Sequence, residues 1–438
     1  MNERERVVGP LPSSLPPTPR PWRLAVTFRS LQHRNYRLYF FGQMVSLIGT
    51  WMQTTALVWM AYALTEQSRW PAFVMAAQIL PTFLFGAWGG WLADHQPKRQ
   101  LIFRTQLAFL AIAVALMLLI ASGHTEAWHL VLIMGIHGLV QAIDLPARLA
   151  FVPNLVPPAD LINAVALNSL LFNVARTTGP AIAGIILVEF GPLACFVLNV
   201  LSYFAVLLAL RWMQFDTEPV ASVHASKKAS LFSGFRVLTE QPRLAWMIAL
   251  AGGLAATGWP MMNLLPALTR EVFHLAEGSY SFLLSSIGIG ALGAALSVAT
   301  FGTPERQRKF LIAGLGMVAL ALLSLSAAQQ LWVASLCCAG FGFGMILFFA
   351  TGQSAVQLRT NDQSRGRIMG IWAMMLSGSV PLGNLLLGPL ADRIGVPLVI
   401  LGQAIAASLL CLTAAYLFLR HREFLTRSEL TNSGKPLN

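Results

Sequence analysis

Twelve apolar blocks, each near 20 residues and joined by links as short as Glu189–Gly191, constrain this 438-residue chain more than any other feature. A helix of about 20 apolar residues crosses the ~30 Å hydrocarbon core of a bilayer. The blocks fall at 36–64, 71–93, 101–121, 128–150, 161–188 and 192–212, then at 244–268, 279–301, 310–328, 331–351, 366–391 and 397–419. They are continuously apolar rather than alternating, which predicts spanning helices and excludes barrel strands. Composition agrees, since 11% of residues are charged, against about 25% in chains that cover their surface for water. An all-α membrane protein of twelve transmembrane helices is therefore expected.

Basic residues set the orientation. With a cytoplasmic amino terminus, 26 of the 30 Lys and Arg fall in cytoplasmic segments or at the cytoplasmic ends of spans; Arg69, Arg270 and Arg393 lie outside and Arg176 lies deep within a span. That asymmetry follows the positive-inside rule and places both termini in the cytoplasm. It also accounts for the net charge of +12 without nucleic acid, for which a clustered basic face with aromatics would be needed. The first 35 residues hold five prolines between Pro10 and Pro19 and no apolar core, unlike a cleaved signal peptide. Cys195, Cys337, Cys338 and Cys411 all fall inside spans without metal-ligand spacing, so neither a metal nor a disulfide is expected.

The two halves read as copies. A gap-free shift of 204 positions carries Gly49, Gly86, Gly89, Gly138, Gly179, Gly184 and Gly191 onto Gly253, Gly290, Gly293, Gly342, Gly383, Gly388 and Gly395, seven of the eleven glycines between positions 42 and 191. Small residues recur where membrane helices approach closely. The expected organisation is a tail (1–35), a six-helix bundle (36–212), a cytoplasmic linker (213–243) carrying Lys227 and Lys228, a second bundle (244–420) and a tail (421–438). Two parallel six-helix repeats are one way in which secondary transporters are built.

Several strings carry functional expectations. After the second span stands Gly90-Trp-Leu-Ala-Asp94-His-Gln-Pro-Lys98-Arg99, where Gly90 allows close helix contact and Asp94 suits the positive end of a neighbouring helix. Asp144 is the only carboxylate well inside a span, and the i,i+4 spacing puts Arg148 on the same helix face. The fifth span holds Arg176-Thr-Thr-Gly179-Pro180-Ala-Ile-Ala-Gly184, a bend with small packing residues behind a lone guanidinium. A charge at that depth needs water, an acid or an anionic substrate. By helix position, Gln43, Gln53, Asn168, Arg176, Trp259 and Asn263 are expected to line a polar, weakly cationic cavity, and His137 and Gln141 share a face that could border it. Gly288-Ile-Gly-Ala-Leu-Gly293 matches a dinucleotide fingerprint but sits inside an apolar span with no strand before it, so it reads as packing. None of the constellations used by enzymes is present, and no P-loop, so no cofactor is expected.

The loop string resembles the signature that the major facilitator superfamily carries between its second and third helices, departing from it at His95 and Pro97. The Gly179-Pro180 string is similar to the fifth-helix signature of exporters in that superfamily, with Ala183 in place of a usual glycine. The stretch beginning Phe28-Arg-Ser-Leu-Gln-His-Arg-Asn-Tyr, together with Asp144-Leu-Pro-Ala-Arg148 and Asn163-Ala-Val-Ala-Leu-Asn-Ser, resembles the enterobactin-exporter branch, the transmembrane secretion effectors. The resemblance implies two pseudo-symmetric bundles and proton-driven export of a siderophore or similar small amphiphilic molecule across a bacterial inner membrane, by a monomer among lipid. It also implies that Asp94, Lys98 and Asp144 gather into a charge cluster closing the cytoplasmic side, where the residues alone allow a local Asp144–Arg148 pair. A broad-specificity drug efflux pump, an uptake transporter and a non-transporting membrane scaffold stay open as alternatives.

Overall fold

A computed structural model of the chain describes residues 28–215, 242–303, 305–360 and 362–420. Residues 1–27 and 421–438 of the tails and 216–241 of the linker, Lys227 and Lys228 included, lie outside the described residues. Within them the helices are α1 (Arg34–Ala63), α2 (Arg69–His95), α3 (Lys98–Ala121) and α4 (Ala127–Phe151), then α5 (161–190) and α6 (192–212), which form one stretch broken only at Gly191. The second half holds α7 (Pro242–Gly258, continued by Met261–Ala267 and a wide turn at Leu268–Val272), α8 (Glu277–Phe301), α9 (Gln307–Ser326), α10 (Leu331–Leu358), α11 (Asp362–Ile394) and α12 (Val396–Arg420). The ends of α1, α6 and α12 that lie nearest the tails and linker define a terminal end of the molecule; the other is the far end.

Among the described residues, ten stretches are long and apolar enough to cross a membrane, the α5–α6 stretch counting as one. Helix α1 falls below that threshold although it spans 30 residues, because it carries Gln43, Ser46, Thr50, Gln53, Thr54 and Thr55. Its polar side is buried inside the protein rather than turned to lipid, which is how a spanning helix tolerates such residues.

The glycine repeat has a physical cause at most of its positions. Gly138 lies against the backbone of α2, and Gly342 against the backbone of α8. A Cβ there would stand 2.3 Å from the carbonyl oxygen of Gln78 and 2.0 Å from that of Ile287. Gly191 and Gly395 both adopt positive φ, 74° and 87°, and each turns the chain between the fifth and sixth helix of its half. Gly184 meets Ser281 of α8 and Gly388 meets Ala72 of α2, so these two bring the halves together. The repeat extends to a polar pair: Asn199 Nδ2 donates to Gln53 Oε1 at 2.7 Å, and at the positions 204 residues on, Gln403 Nε2 donates to the Thr257 carbonyl, also at 2.7 Å. Gly86 is an exception, with open space where a Cβ would go. In the loop string the tight approach belongs to Gly89, 2.0 Å from the Ala142 oxygen, whereas at Gly90 a Cβ would sit a comfortable 4.0 Å from Pro146. Gly90 is thus not the contact residue that its place in the motif suggests.

These contacts sort two substitutions. Gly342→Val would force α10 off the α8 backbone, which cannot yield as a side chain can. A loss above about 4 kcal/mol is expected, seen as a collapse of the monodisperse peak on heating in detergent. Gly86→Ala is expected to stay within about 0.5 kcal/mol of the parent.

Candidate functional site

Asp144 lies in the last two turns of α4 and is fully buried. Its Oδ1 accepts from Thr105 Oγ1 at 2.6 Å and from Gln106 Nε2 at 3.0 Å, both on α3. Its Oδ2 lies 2.7 Å from Nε of Arg148, one turn on. Arg148 then reaches across to α1, donating from Nη1 to Gln43 Oε1 at 2.9 Å. Three helices are thus tied by one carboxylate and its counter-charge. A buried ion pair of this kind is costly to assemble and costlier to break, because either partner alone would be an uncompensated charge.

The expected three-residue charge cluster is not assembled in this conformation. Asp94 is exposed at the end of α2, Lys98 is half-buried at the start of α3, and neither forms an ion pair among the described residues. Arg99 turns instead to the end of α6, donating to the carbonyls of Leu210 at 2.9 Å and Arg211 at 3.3 Å. Of the two readings that the residues allowed for Asp144, the local pair with Arg148 is the one formed here.

Beside this pair is a cavity of about 320 Å³ enclosed by α1–α6 on their terminal side. Gln43 and Asn168 border it, as do His137, Gln141 and Arg148. Gln43 Nε2 and His137 Nδ1 are buried there without a hydrogen-bond partner among the described residues, a condition that in a native protein calls for water or a ligand. Tyr39, Thr50, Gln78 and Tyr203 also border the cavity and were not anticipated. Tyr39, Gln43, Ser46, Thr50 and Thr54 recur every three or four residues, which is one face of a helix; that stripe was the available signal.

The other expected cavity residues divide. Arg176 and Trp259 both line a narrow cleft of about 20 Å³ between the halves, together with Trp51 and Pro180. Gln53 does not line a cavity, being buried against Asn199, nor does Asn263, whose Nδ2 donates to Asn384 Oδ1 at 2.9 Å. In both pairs one amide donates to another between helices, which is a use that polar residues in membranes commonly have. The fifth-helix string performs packing on two sides: Gly179 lies against Trp51 and Ile48 of α1, and Thr177 against Gly288 of α8.

Two of the strings quoted from the first half turn out to touch. Ser30 N–H donates to Asn163 Oδ1 at 2.9 Å, the Tyr36 hydroxyl to the Ala164 carbonyl at 2.8 Å, and Asp160 sits 2.7 Å from both Arg29 and His33. The segment before α1 is thereby fastened to the start of α5. The hydrogen bond to His33 holds the Asp160 carboxyl below its usual range.

At the far end the halves are joined by polar contacts. Asp392, at the end of α11, accepts from the Ser68 N–H at 2.6 Å and lies 3.3 Å from Arg69 Nε at the start of α2. Tyr62 donates to Glu271 at 2.8 Å, and Trp59 stacks on Tyr280 with centroids 5.9 Å apart. The molecule is shut at the far end and hollow at the terminal end.

Twelve helices among the described residues, six in each half, a cavity beside a buried charge pair and halves joined at the far end define a membrane transporter of the major facilitator superfamily rather than an enzyme. The transmembrane secretion effector family model matches residues 25–434, and the chain belongs to that family. It is 24% identical to the staphyloferrin A transporter of Staphylococcus aureus over 90% of this chain and 99% of that one. It is 22% identical to macrolide efflux protein A of Streptococcus pyogenes over 83% and 92%. It is 26% identical to the enterobactin exporter EntS of Escherichia coli O1:K1 over 82% and 85%. Among solved structures, the nucleoside transporter NupG superposes with a TM-score of 0.70 at 15% identity, covering 89% of this chain and 99% of that one.

Proposed function

We propose that the protein is a proton-driven exporter that moves a siderophore, or a similar small amphiphilic molecule, out of the cytoplasm across the bacterial inner membrane. The observation that carries this reading is the buried Asp144–Arg148 pair in the wall of a polar cavity. An ionisable carboxylate buried at this depth beside a cavity is the kind of group that coupling to a proton gradient requires. With both termini cytoplasmic, the terminal-end cavity faces the cytoplasm, where an exporter loads. The units 36–212 and 244–420 would rock about a midplane site, releasing the far-end contacts when that end opens.

Relatives that carry staphyloferrin A and enterobactin support the substrate class. Drug efflux is the second reading. The macrolide relative favours it, as do the apolar side chains of Leu145, Leu149 and Phe172 beside the polar groups of the cavity.

Proteoliposomes loaded with a panel of catecholate and carboxylate siderophores and macrolides, with an imposed pH gradient, test both readings. Uphill movement of a siderophore that stops when the gradient is collapsed is the expected result. Macrolide movement alone selects the second reading, and movement indifferent to the gradient overturns proton coupling. An engineered cysteine at Lys227 that reacts with an impermeant reagent from outside intact cells would overturn the orientation.

A further inference from the structure

Trp51 borders two spaces at once. It lines the cavity of α1–α6 that holds Gln43 and His137, and it lines the cleft between the halves that holds Arg176. Its place is set by the α1–α5 crossing, where a Cβ on Gly179 would stand 2.5 Å from the Trp51 Cβ. Its indole meets Phe172 edge-on at 5.8 Å. The residue therefore belongs to the wall of both spaces.

The two spaces differ in electrical character. In the cavity, Arg148 is neutralised by Asp144, so what remains are polar groups without net charge. Gln43 Nε2 and His137 Nδ1 are the buried ones without partners, on side chains 2% and 6% exposed. In the cleft, Arg176 donates from Nη2 to the neutral Asn173 Oδ1 at 3.2 Å and has no carboxylate within ion-pair distance among the described residues. A guanidinium cannot shed its proton and keeps five donors. Holding it uncompensated deep between helices is expensive unless an anion arrives.

We infer that the cleft and the cavity are two subsites of one substrate site, for an aromatic acid whose anionic group meets Arg176, whose ring lies on Trp51, and whose hydroxyl or carbonyl oxygens reach Gln43 and His137. The inference rests on the transporter reading above and narrows it, since a substrate without an acidic group would leave Arg176 uncompensated. A tryptophan face suits a planar ring, because such contacts add to the area they bury. The amide and imidazole suit oxygens, because an orphaned buried donor gains most from a partner.

The test uses the full chain, purified in detergent, with 2-naphthoate and its uncharged partner 2-naphthamide as probes in equilibrium dialysis. The parent is expected to bind 2-naphthoate at least tenfold more tightly than 2-naphthamide. Arg176→Gln should abolish that preference and Arg176→Lys should keep most of it. Trp51→Ala should weaken both probes tenfold or more, while Trp51→Phe, which keeps a ring at the α1–α5 crossing, should retain both. Thermal unfolding of each variant separates a lost site from a lost fold. No preference in the parent, a preference that survives Arg176→Gln, or a folded Trp51→Ala that binds as the parent does would each overturn the two-subsite assignment. The outcome is independent of the gradient experiment: transport without the naphthoate preference sinks only this inference, and the preference without gradient-driven transport sinks only the coupling.

Discussion

Asp144→Asn is expected to abolish uphill efflux while leaving downhill exchange of substrate intact. The asparagine oxygen still accepts from Thr105 and Gln106, but its amide now faces Arg148 Nε where an anion stood at 2.7 Å. Arg148, whose side chain is 20% exposed toward the cavity, keeps its charge and finds partial relief in water there. The cost is accordingly placed at the low end for a broken buried pair, about 3 kcal/mol. Stability alone would not separate a proton carrier from a structural staple, so the double variant matters. Asp144→Asn with Arg148→Gln removes both charges and should be more stable than Asp144→Asn alone, a coupling read from a double-mutant cycle. If Asp144 carries the proton, the double variant regains stability but not uphill transport. Counterflow and gradient-driven efflux in the same proteoliposomes measure both. A double variant that concentrates substrate would mark the pair as a staple and move the coupling elsewhere.

Much of the architecture was legible because bilayer thickness and helix rise leave few choices once twelve apolar blocks are counted. The repeat was legible because a glycine such as Gly138 or Gly342 cannot be exchanged without separating two backbones. Pairing within one helix, as between Asp144 and Arg148, needs only the i,i+4 rule. What sequence could not supply was the facing of helices that are apolar nearly all round. Gln53 and Asn263 were assigned to a cavity, yet both are buried in amide pairs whose partners, Asn199 and Asn384, lie far along the chain. The same limit hid the far-end contact. Arg69 and Arg393 were read only as exceptions to charge asymmetry, while the residue that matters, Asp392, finds its partner Ser68 at a separation of 324 positions. The Asp94, Lys98 and Asp144 cluster that the resemblance implied is not assembled in this conformation, where Asp94 is exposed and Asp144 pairs with Arg148.

Asp392→Ala is expected to open the far end and drive the protein toward the conformation that the present structure is not in. The carboxylate performs two tasks at once, accepting from the Ser68 N–H at 2.6 Å and lying 3.3 Å from Arg69. Both partners stand at the first turn of α2, whose unpaired N–H groups and dipole favour an anion. Arg69 is 43% exposed, so the ion pair itself contributes little, and the hydrogen bond from the backbone to a charged acceptor contributes most. Together they amount to about 2 kcal/mol, or a roughly 30-fold shift between the two states. Gly388, four residues before Asp392, makes the reach possible, since a Cβ there would stand 2.5 Å from that of Ala72. The string Gly388-Pro-Leu-Ala-Asp392 repeats the pattern of Gly90-Trp-Leu-Ala-Asp94, and α2 and α11 run antiparallel, so each acid stands at the opposite end of the same helix pair. Asp94 should therefore secure the terminal end when the far end opens, and Asp94→Asn should shift the population the other way, further toward the state described here. Cysteines at Val188 and Gly278, which face each other across the far end of α5 and α8, report the balance. Crosslinking should fall in Asp392→Ala and hold or rise in Asp94→Asn, with transport slowed in both. Unchanged crosslinking in Asp392→Ala would mean that the apolar contacts around Trp59 and Tyr280 keep the far end shut by themselves.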